Sequence, residues 1–399
     1  MFNKASIDRE CEKLNELRNV SYKDFSTEDL ASFMKSDILI SGARADLRNN
    51  ILARLIYNYS YTDPCQSLIL SKSKSLVARL GDEENVGKSG LIISGFSNKN
   101  YGVFTEFNRF EFMDILKTSL ELEKIDRPEN ISYLTALISL MFFDKESTSL
   151  EEFISLSQKA PTDLVKMAEE MGVDKEIVFD LAQNTKAVRP IRLMADVFEE
   201  VFKNVSRKDE ENYISYTEDA YRDFVKVFDM NSYRTDILNI YLTYLIEKMV
   251  KDGKLRLVVD DIDFLKDDRL FALIKNLKTN DDVQLIISSK NALNMFMGDK
   301  GQVGDFSNML ILPHSSAEVD ENLTSIFGKY SHYKAMESKS KSNGMFFQRS
   351  RSKNYSMIES ERLRIRSDDL QMANLGQGQA AIKLENSPLI FLSSLGGLI

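Results

Sequence analysis

Residues Asp37–Asn49 run from an apolar strand, Ile38-Leu39-Ile40, through a turn at Gly42 into a helix start. A nucleotriphosphatase carries its phosphate-binding loop at such a junction, where backbone N–H groups can reach phosphate. That loop has the form G-x-x-x-x-G-K-[ST], with Lys for the outer phosphates and a hydroxyl for Mg²⁺. Counted from Gly42, the second glycine falls on Leu47, the Lys on Arg48 and the hydroxyl on Asn49. Leu47 puts a side chain where the backbone must approach phosphate. Arg48 keeps a cation, but a planar guanidinium does not replace a compact ammonium. Asp46 adds negative charge, and Arg44 is the other cation of the segment. Gly42, Arg44, Asp46, Leu47, Arg48 and Asn49 thus read as a degenerate nucleotide-binding loop without productive ATP hydrolysis. No catalytic residue is assigned.

Further along, Leu255-Arg256-Leu257-Val258-Val259-Asp260-Asp261 has the form of a Walker B strand. In such enzymes the first carboxylate helps to hold Mg²⁺ and the second polarises the attacking water. Asp261 is shorter than the Glu usual there, and Asp263 adds a third carboxylate. Gly87-Lys88-Ser89 imitates the end of a P-loop, but the glycine required five positions earlier is Asp82. Leu164–Gln183 has the outline of a helix-turn-helix, yet its second helix would present Asp174, Lys175, Glu176 and Asp180, whose acidic side chains would face phosphates unfavourably. A plain helical hairpin is the expected reading.

These residues need a scaffold of strands and helices. Strands are expected at 37–41, Cys65–Leu70, Leu91–Ser94, Tyr101–Phe104, Leu255–Val259, Val283–Ile287 and Asn308–Leu312. Helices are expected from about 49 to 60, over Tyr233–Met249 and over Asp268–Leu277. The early strand–helix–strand order implies a parallel sheet. Between about 111 and 230 apolar residues recur at helical spacing, as at Leu164, Met167, Ala168 and Met171. The expected organisation is a helical segment at 1–36, starting one helix near Ser26-Thr27-Glu28-Asp29, then an α/β domain formed by 37–110 and 231–399, with an all-helical insertion at 111–230. The Ser/Lys/Arg-rich stretch 336–356 reads as a flexible solvated hairpin, with flanking runs 345–348 and 360–366 able to make a β-ribbon.

Composition narrows the function classes. The chain has 399 residues, 43% hydrophobic and 28% charged, enough for a large core and a solvated surface. A formal net charge of −9 argues against direct nucleic-acid binding as a general activity. Two cysteines, Cys11 and Cys65, and two histidines, His314 and His332, supply neither a disulfide framework nor a transition-metal site nor a triad. Neither a secretory signal nor a segment of the roughly 20 apolar residues a transmembrane helix needs is read in the chain. A cytoplasmic location is expected.

In this order the parts resemble the coupling ATPases of type IV secretion and conjugation systems, a RecA-like DNA-translocase branch, over about residues 35–395. Asp37–Gly42 is similar to the first strand, Ser67–Leu70 with Leu76-Val77 to the second strand and its helix, and Phe107-Asn108 to a Phe-Asn turn. Leu257–Asp261 is similar to Walker B. Val283–Ser289 resembles the strand that ends in a Gln-Ser sensor, with Ser288 at the Gln position. Phe306–Leu312 resembles the following strand. Ile326-Phe327-Gly328-Lys329-Tyr330, Arg362, Asp368-Asp369-Leu370 and Leu375-Gly376-Gln377-Gly378-Gln379-Ala380 are similar to its closing motifs; Asn276 stands near a usual Arg. The resemblance implies an α/β, RecA-like P-loop NTPase fold with an inserted all-helical domain. With the loop chemistry lost, it implies a pseudo-ATPase subunit without cofactor or metal. Its partners would be type IV secretion apparatus subunits, including a true coupling ATPase, in a ring or hetero-oligomer peripheral to the inner membrane through those partners. The alternative is an active translocation motor using ATP and Mg through an atypical loop.

Overall fold

The computed structural model describes residues 4–15, 20–22, 33–62, 65–73, 75–76, 80, 92–94, 100–101, 104–202, 213–214, 224–230, 234–265, 269–295, 303–314, 317–343, 349–365, 379–385 and 390–394. The strands, in chain order, are β1 (Val20–Tyr22), β2 (Ile38–Ser41), β3 (Gln66–Ser71), β4 (Ile92–Ser94), β5 (Asn100–Tyr101), β6 (Tyr213–Ile214), β7 (Phe224–Asp229), β8 (Leu255–Val259), β9 (Val283–Ser289), β10 (Asn308–Ile311), β11 (Lys329–Asn343), β12 (Arg349–Leu363), β13 (Gln379–Lys383) and β14 (Ile390–Ser394). The chain divides into two compact units, one of residues 1–51 with 287–399 and one of residues 52–286. The division runs through the helix Ala45–Thr62 and through β9.

In the first unit the strand order is β1-β14-β13-β10-β2. β10 lies parallel to β2, with Asn308 opposite Ile38 and Ile311 opposite Ser41. β13 is antiparallel to β10 and β14, and β1 is parallel to β14. Every residue of β2 and β10 is buried, which suits a short continuous apolar run covered on both faces. β11 and β12 form a separate antiparallel ribbon, in register from Lys329 opposite Leu363 to Asn343 opposite Arg349. The helix Lys4–Asn15 packs on it through buried Ile7 and Cys11. The Asn15 side chain donates to the Tyr333 carbonyl and accepts from the Tyr333 N–H, each at 2.9 Å, and so occupies part of the free edge of β11.

In the second unit the parallel strands run β8-β3-β7-β4, and Leu255 opens β8 by donating to the Asp282 carbonyl at 2.9 Å. Six helices follow, Arg109–Leu122, Pro128–Met141, Leu150–Ser157, Pro161–Met171, Lys175–Gln183 and Val188–Phe202. Sequence explains their ends. Asn108 caps the first through a full capping box with Glu111, Pro128 and Pro161 open two others, and Gly172, at φ 72°, closes the fourth. A buried aromatic cluster holds this block to the helix Thr235–Asp252: the Phe104 ring lies 4.7 Å from Phe112, 5.8 Å from Phe198 and Phe202, and 4.9 Å from Tyr241. The Tyr241 hydroxyl donates to buried Glu106 at 2.5 Å.

Several expectations change. The 1–36 segment is not all helix: Lys4–Asn15 is helical, but Val20–Tyr22 pairs with β14. The 111–230 stretch is not all helix either, since β7 pairs with β3 and β4; its β-branched and aromatic run Phe224-Val225-Lys226-Val227-Phe228 favours a strand. The helix after Gly42 starts at Ala45, not near 49. The ribbon strands are the Ser/Lys/Arg stretch itself, where a flexible hairpin was expected. Phe104 is in a turn at φ 74°, beyond the strand Asn100–Tyr101. Ser26–Asp29, Gly87–Ser89, 345–348, Asp368–Leu370 and Leu375–Gly378 lie outside the described residues.

Candidate functional site

The first unit brings the degenerate loop together with the ends of β2, β9 and β10. Gly42 donates to the Ser289 carbonyl at 3.1 Å and Ala43 to the Pro313 carbonyl at 3.3 Å, so the turn is fixed by its neighbours' backbones. A Cβ on Gly42 would meet Leu312 Cβ at 2.5 Å. Glycine is therefore required here for close approach to the end of β10, quite apart from any phosphate. Leu47 is buried in the core. Arg44 and Asp46 form a two-point pair on the surface, at 2.5 and 3.2 Å, which holds the Asp46 carboxyl below its ordinary pKa.

Arg48 is only 2% exposed, and its Nη1 donates to the Gly42 carbonyl. The one cation retained at the Lys position thus turns back onto the loop's first glycine. Asn49, next to it, is buried. Beside Arg48 stands His314, also buried. Burial first, then the nearby guanidinium, pushes the His314 pKa down to about 4, so the ring is neutral near pH 7. Ser41 Oγ lies 3.3 Å from His314 Nε2 and accepts the Ala292 N–H at 3.1 Å. The hydroxyl keeps one hydrogen and a second lone pair, so the direction of the Ser41–His314 bond follows the tautomer of the neutral imidazole. Ser288, at the sensor-like position, is fully buried near the end of β9. The adjacent Ser289 caps the turn after β9 by accepting the Asn291 N–H at 3.0 Å.

The second unit carries the Walker B-like end. Asp260 is 2% exposed. Its N–H donates to the Leu70 carbonyl at 2.9 Å, and its Oδ2 accepts from Ser71 Oγ at 2.8 Å. The same Ser71 oxygen accepts the Ser73 N–H at 2.9 Å. The ends of β3 and β8 are thereby tied around one buried carboxylate. Asp261 turns out of the strand in the left-handed region, at φ 55°. Among the described residues no group of three or more His, Cys, Asp and Glu side chains could hold a metal ion. No helix among them is long and apolar enough to cross a membrane.

Sequence reasoning found the loop and the carboxylates but missed Ser41, Ser71 and His314. In sequence His314 is only one of two histidines that make neither a metal site nor a triad. It meets Ser41 across 273 positions, and Ser71 meets Asp260 across 189, separations that leave no local signal.

Neither a protein-family model nor a curated protein matches the sequence. Solved structures do match in shape. The plasmid coupling protein TrwB, in complex with a non-hydrolysable ATP analogue, superposes with a TM-score of 0.52 at 14% identity, over 96% of this chain and 92% of that one. The unbound bacterial conjugative coupling protein TrwBdeltaN70 gives 0.50 at 15% identity, over 96% and 91%. The chain therefore has the RecA-like α/β fold of these coupling proteins.

Proposed function

We propose that this chain is a coupling-protein-like subunit of a type IV secretion or conjugation apparatus that acts by binding proteins and not by hydrolysing ATP. The observation that carries this reading is the buried Arg48–Gly42 contact. A phosphate-binding loop offers its cation and open backbone to the ligand. Here the cation serves the loop's own carbonyl, Leu312 fills the space in front of Gly42, and Leu47 lies in the core where a second glycine would leave backbone open. These residues do not fit a triphosphate. Asn49 offers no hydroxyl for a magnesium ion. The fold shared with TrwB supports the apparatus as the setting, with a true coupling ATPase or other apparatus subunits as partners in a ring or hetero-oligomer.

The active-motor alternative, with ATP and Mg, draws on Asp260, whose buried, Ser71-bonded carboxylate keeps the Walker B form. Two measurements on the purified chain separate the readings. A ligand that binds only the folded state raises its melting temperature. The proposal expects no shift with millimolar Mg-ATP and no phosphate release. A shift without release would make nucleotide a structural ligand. Release abolished by Asp260→Ala would make the chain a motor.

A further inference from the structure

The β11–β12 ribbon is a two-stranded sheet, so each strand has one edge that the other does not pair. In an antiparallel pair, successive residues turn their backbone groups alternately to the partner strand and to the outer edge. The register fixes which residue does which. Arg364 donates to the Gly328 carbonyl at 3.0 Å, so this pair, Lys334 with Ile358 and Met336 with Ser356 bond within the ribbon. Tyr333, opposite Glu359, turns its N–H and carbonyl outward, where the Asn15 side chain meets both. By the same alternation Lys353, Tyr355, Met357, Glu359 and Glu361 turn theirs to the outer edge of β12. Among the described residues no strand lies along that edge.

Proteins blunt an open edge with charge, proline or a bulge. Between Lys353 and Glu361 there is no proline, and the unbroken register leaves no bulge. The charges stand toward the two ends of this stretch and are answered inside the ribbon. Lys353 pairs with Glu337 at 3.2 Å, Glu361 pairs with Lys329 at 3.0 Å, and Glu359 accepts from the Ser331 hydroxyl. Between them Asn354-Tyr355-Ser356-Met357-Ile358 carries no charge. Met357 and Ile358, 41% and 43% exposed, stand on opposite faces beside the edge. Met336, 52% exposed, is diagonal to Ile358 on the same face.

We infer that the outer edge of β12 takes an extended segment of another protein as a third strand of the ribbon. The backbone of a strand answers an alternating row of donors and acceptors in full. The ribbon's charges are already paired, so the occupant's centre is uncharged. It is about five residues of β-branched or aromatic type, the length of an ordinary strand, and it covers Met357 on one face and Ile358 on the other. The inference gives the proposed protein binding a surface but rests on the ribbon alone, so its failure would leave the reading of the loop untouched.

The test is amide hydrogen exchange of the full chain, followed by NMR, with the peptide acetyl-Thr-Val-Ile-Tyr-Thr-amide added up to millimolar concentration. In the free chain the outward amides of Tyr355, Met357 and Glu359 exchange fast, and the inward amides of Ser356 and Ile358 exchange slowly. The peptide slows the outward set by about tenfold or more and leaves the inward set unchanged. The same peptide with every backbone amide methylated keeps its side chains and slows nothing. Met357→Pro removes one outward donor, which an edge strand tolerates. This variant keeps the slow inward amides and loses the response to peptide. No slowing at millimolar peptide, equal slowing of inward and outward amides, or a response that survives amide methylation or Met357→Pro would overturn the inference. So would outward amides already slow in a free chain that sediments as a dimer, which would give the edge to a second copy.

Discussion

Gly42 has a packing reason for its place that needs no ligand. Its hydrogen is directed at Leu312, so Gly42→Ala overpacks the junction and costs about 1–3 kcal/mol. The melting temperature reports this loss, and Leu312→Ala in the same chain does not recover it, because the atom met at 2.5 Å is the Leu312 Cβ that alanine keeps. Arg48 satisfies the Gly42 carbonyl, and Arg48→Met removes a charged donor, at a cost of about 2 kcal/mol by denaturant unfolding. The same substitution removes one of the two causes that depress His314, so its titration, followed by NMR, moves up from about 4 while burial keeps it below 6.5. His314 also sets a pH dependence. Its folded pKa lies below its unfolded value of 6.5, so between these values the unfolded chain binds more protons. The stabilisation from His314 is complete above 6.5 and is lost as pH falls toward about 4, on the order of 3 kcal/mol in all. The difference between wild type and His314→Gln isolates this contribution, and a difference that does not vary with pH would contradict it.

At the scale of elements, legibility followed how local each determinant is. Asn108 and Glu111 lie three positions apart, and their capping box starts the helix Arg109–Leu122. Asn108→Ala removes it and costs about 1 kcal/mol, with faster hydrogen exchange in the first turn than in the other helices. The buried runs Ile38-Leu39-Ile40 and Leu255–Val259 announce strands because a mainly apolar run suits a strand covered on both faces, with buried Arg256 satisfied by donating to Gln284 Oε1 at 2.9 Å. The ribbon strands were hidden. Ser-Lys-Ser-Lys carries no apolar period, and β11 is specified by pairing with β12 and by the Asn15 amide on Tyr333, more than 300 positions away. Asn15→Ala therefore frees the helix Lys4–Asn15 and raises hydrogen exchange across it, while exchange in β2 and β10 stays unchanged. The β-branched and aromatic run Phe224-Val225-Lys226-Val227-Phe228 is a strand signal that stands beside a strongly helical sequence.

For the whole molecule, the α/β class with a large helical block could be read from the order of strands, glycine turn and helices, and the shared fold with TrwB bears it out at 13–15% identity. What the order of motifs leaves open is how a conserved outline is used. At this strand–turn–helix junction Arg48 donates to the Gly42 carbonyl, Leu312 packs against Gly42, and His314 is buried and neutral beside Arg48. On the proposed reading, these groups take up a ligand's space while the buried strands stay intact. The account therefore stands on whether the loop takes nucleotide. Calorimetric titration of Mg-ATP into the full chain, beside Asp260→Ala/Asp261→Ala, tests this most directly. The prediction is heat of dilution alone, identical in the two proteins, up to millimolar ATP. Saturable binding by the wild type that the variant loses would contradict it, because the loop would then open to a triphosphate and Asp260 would hold its metal.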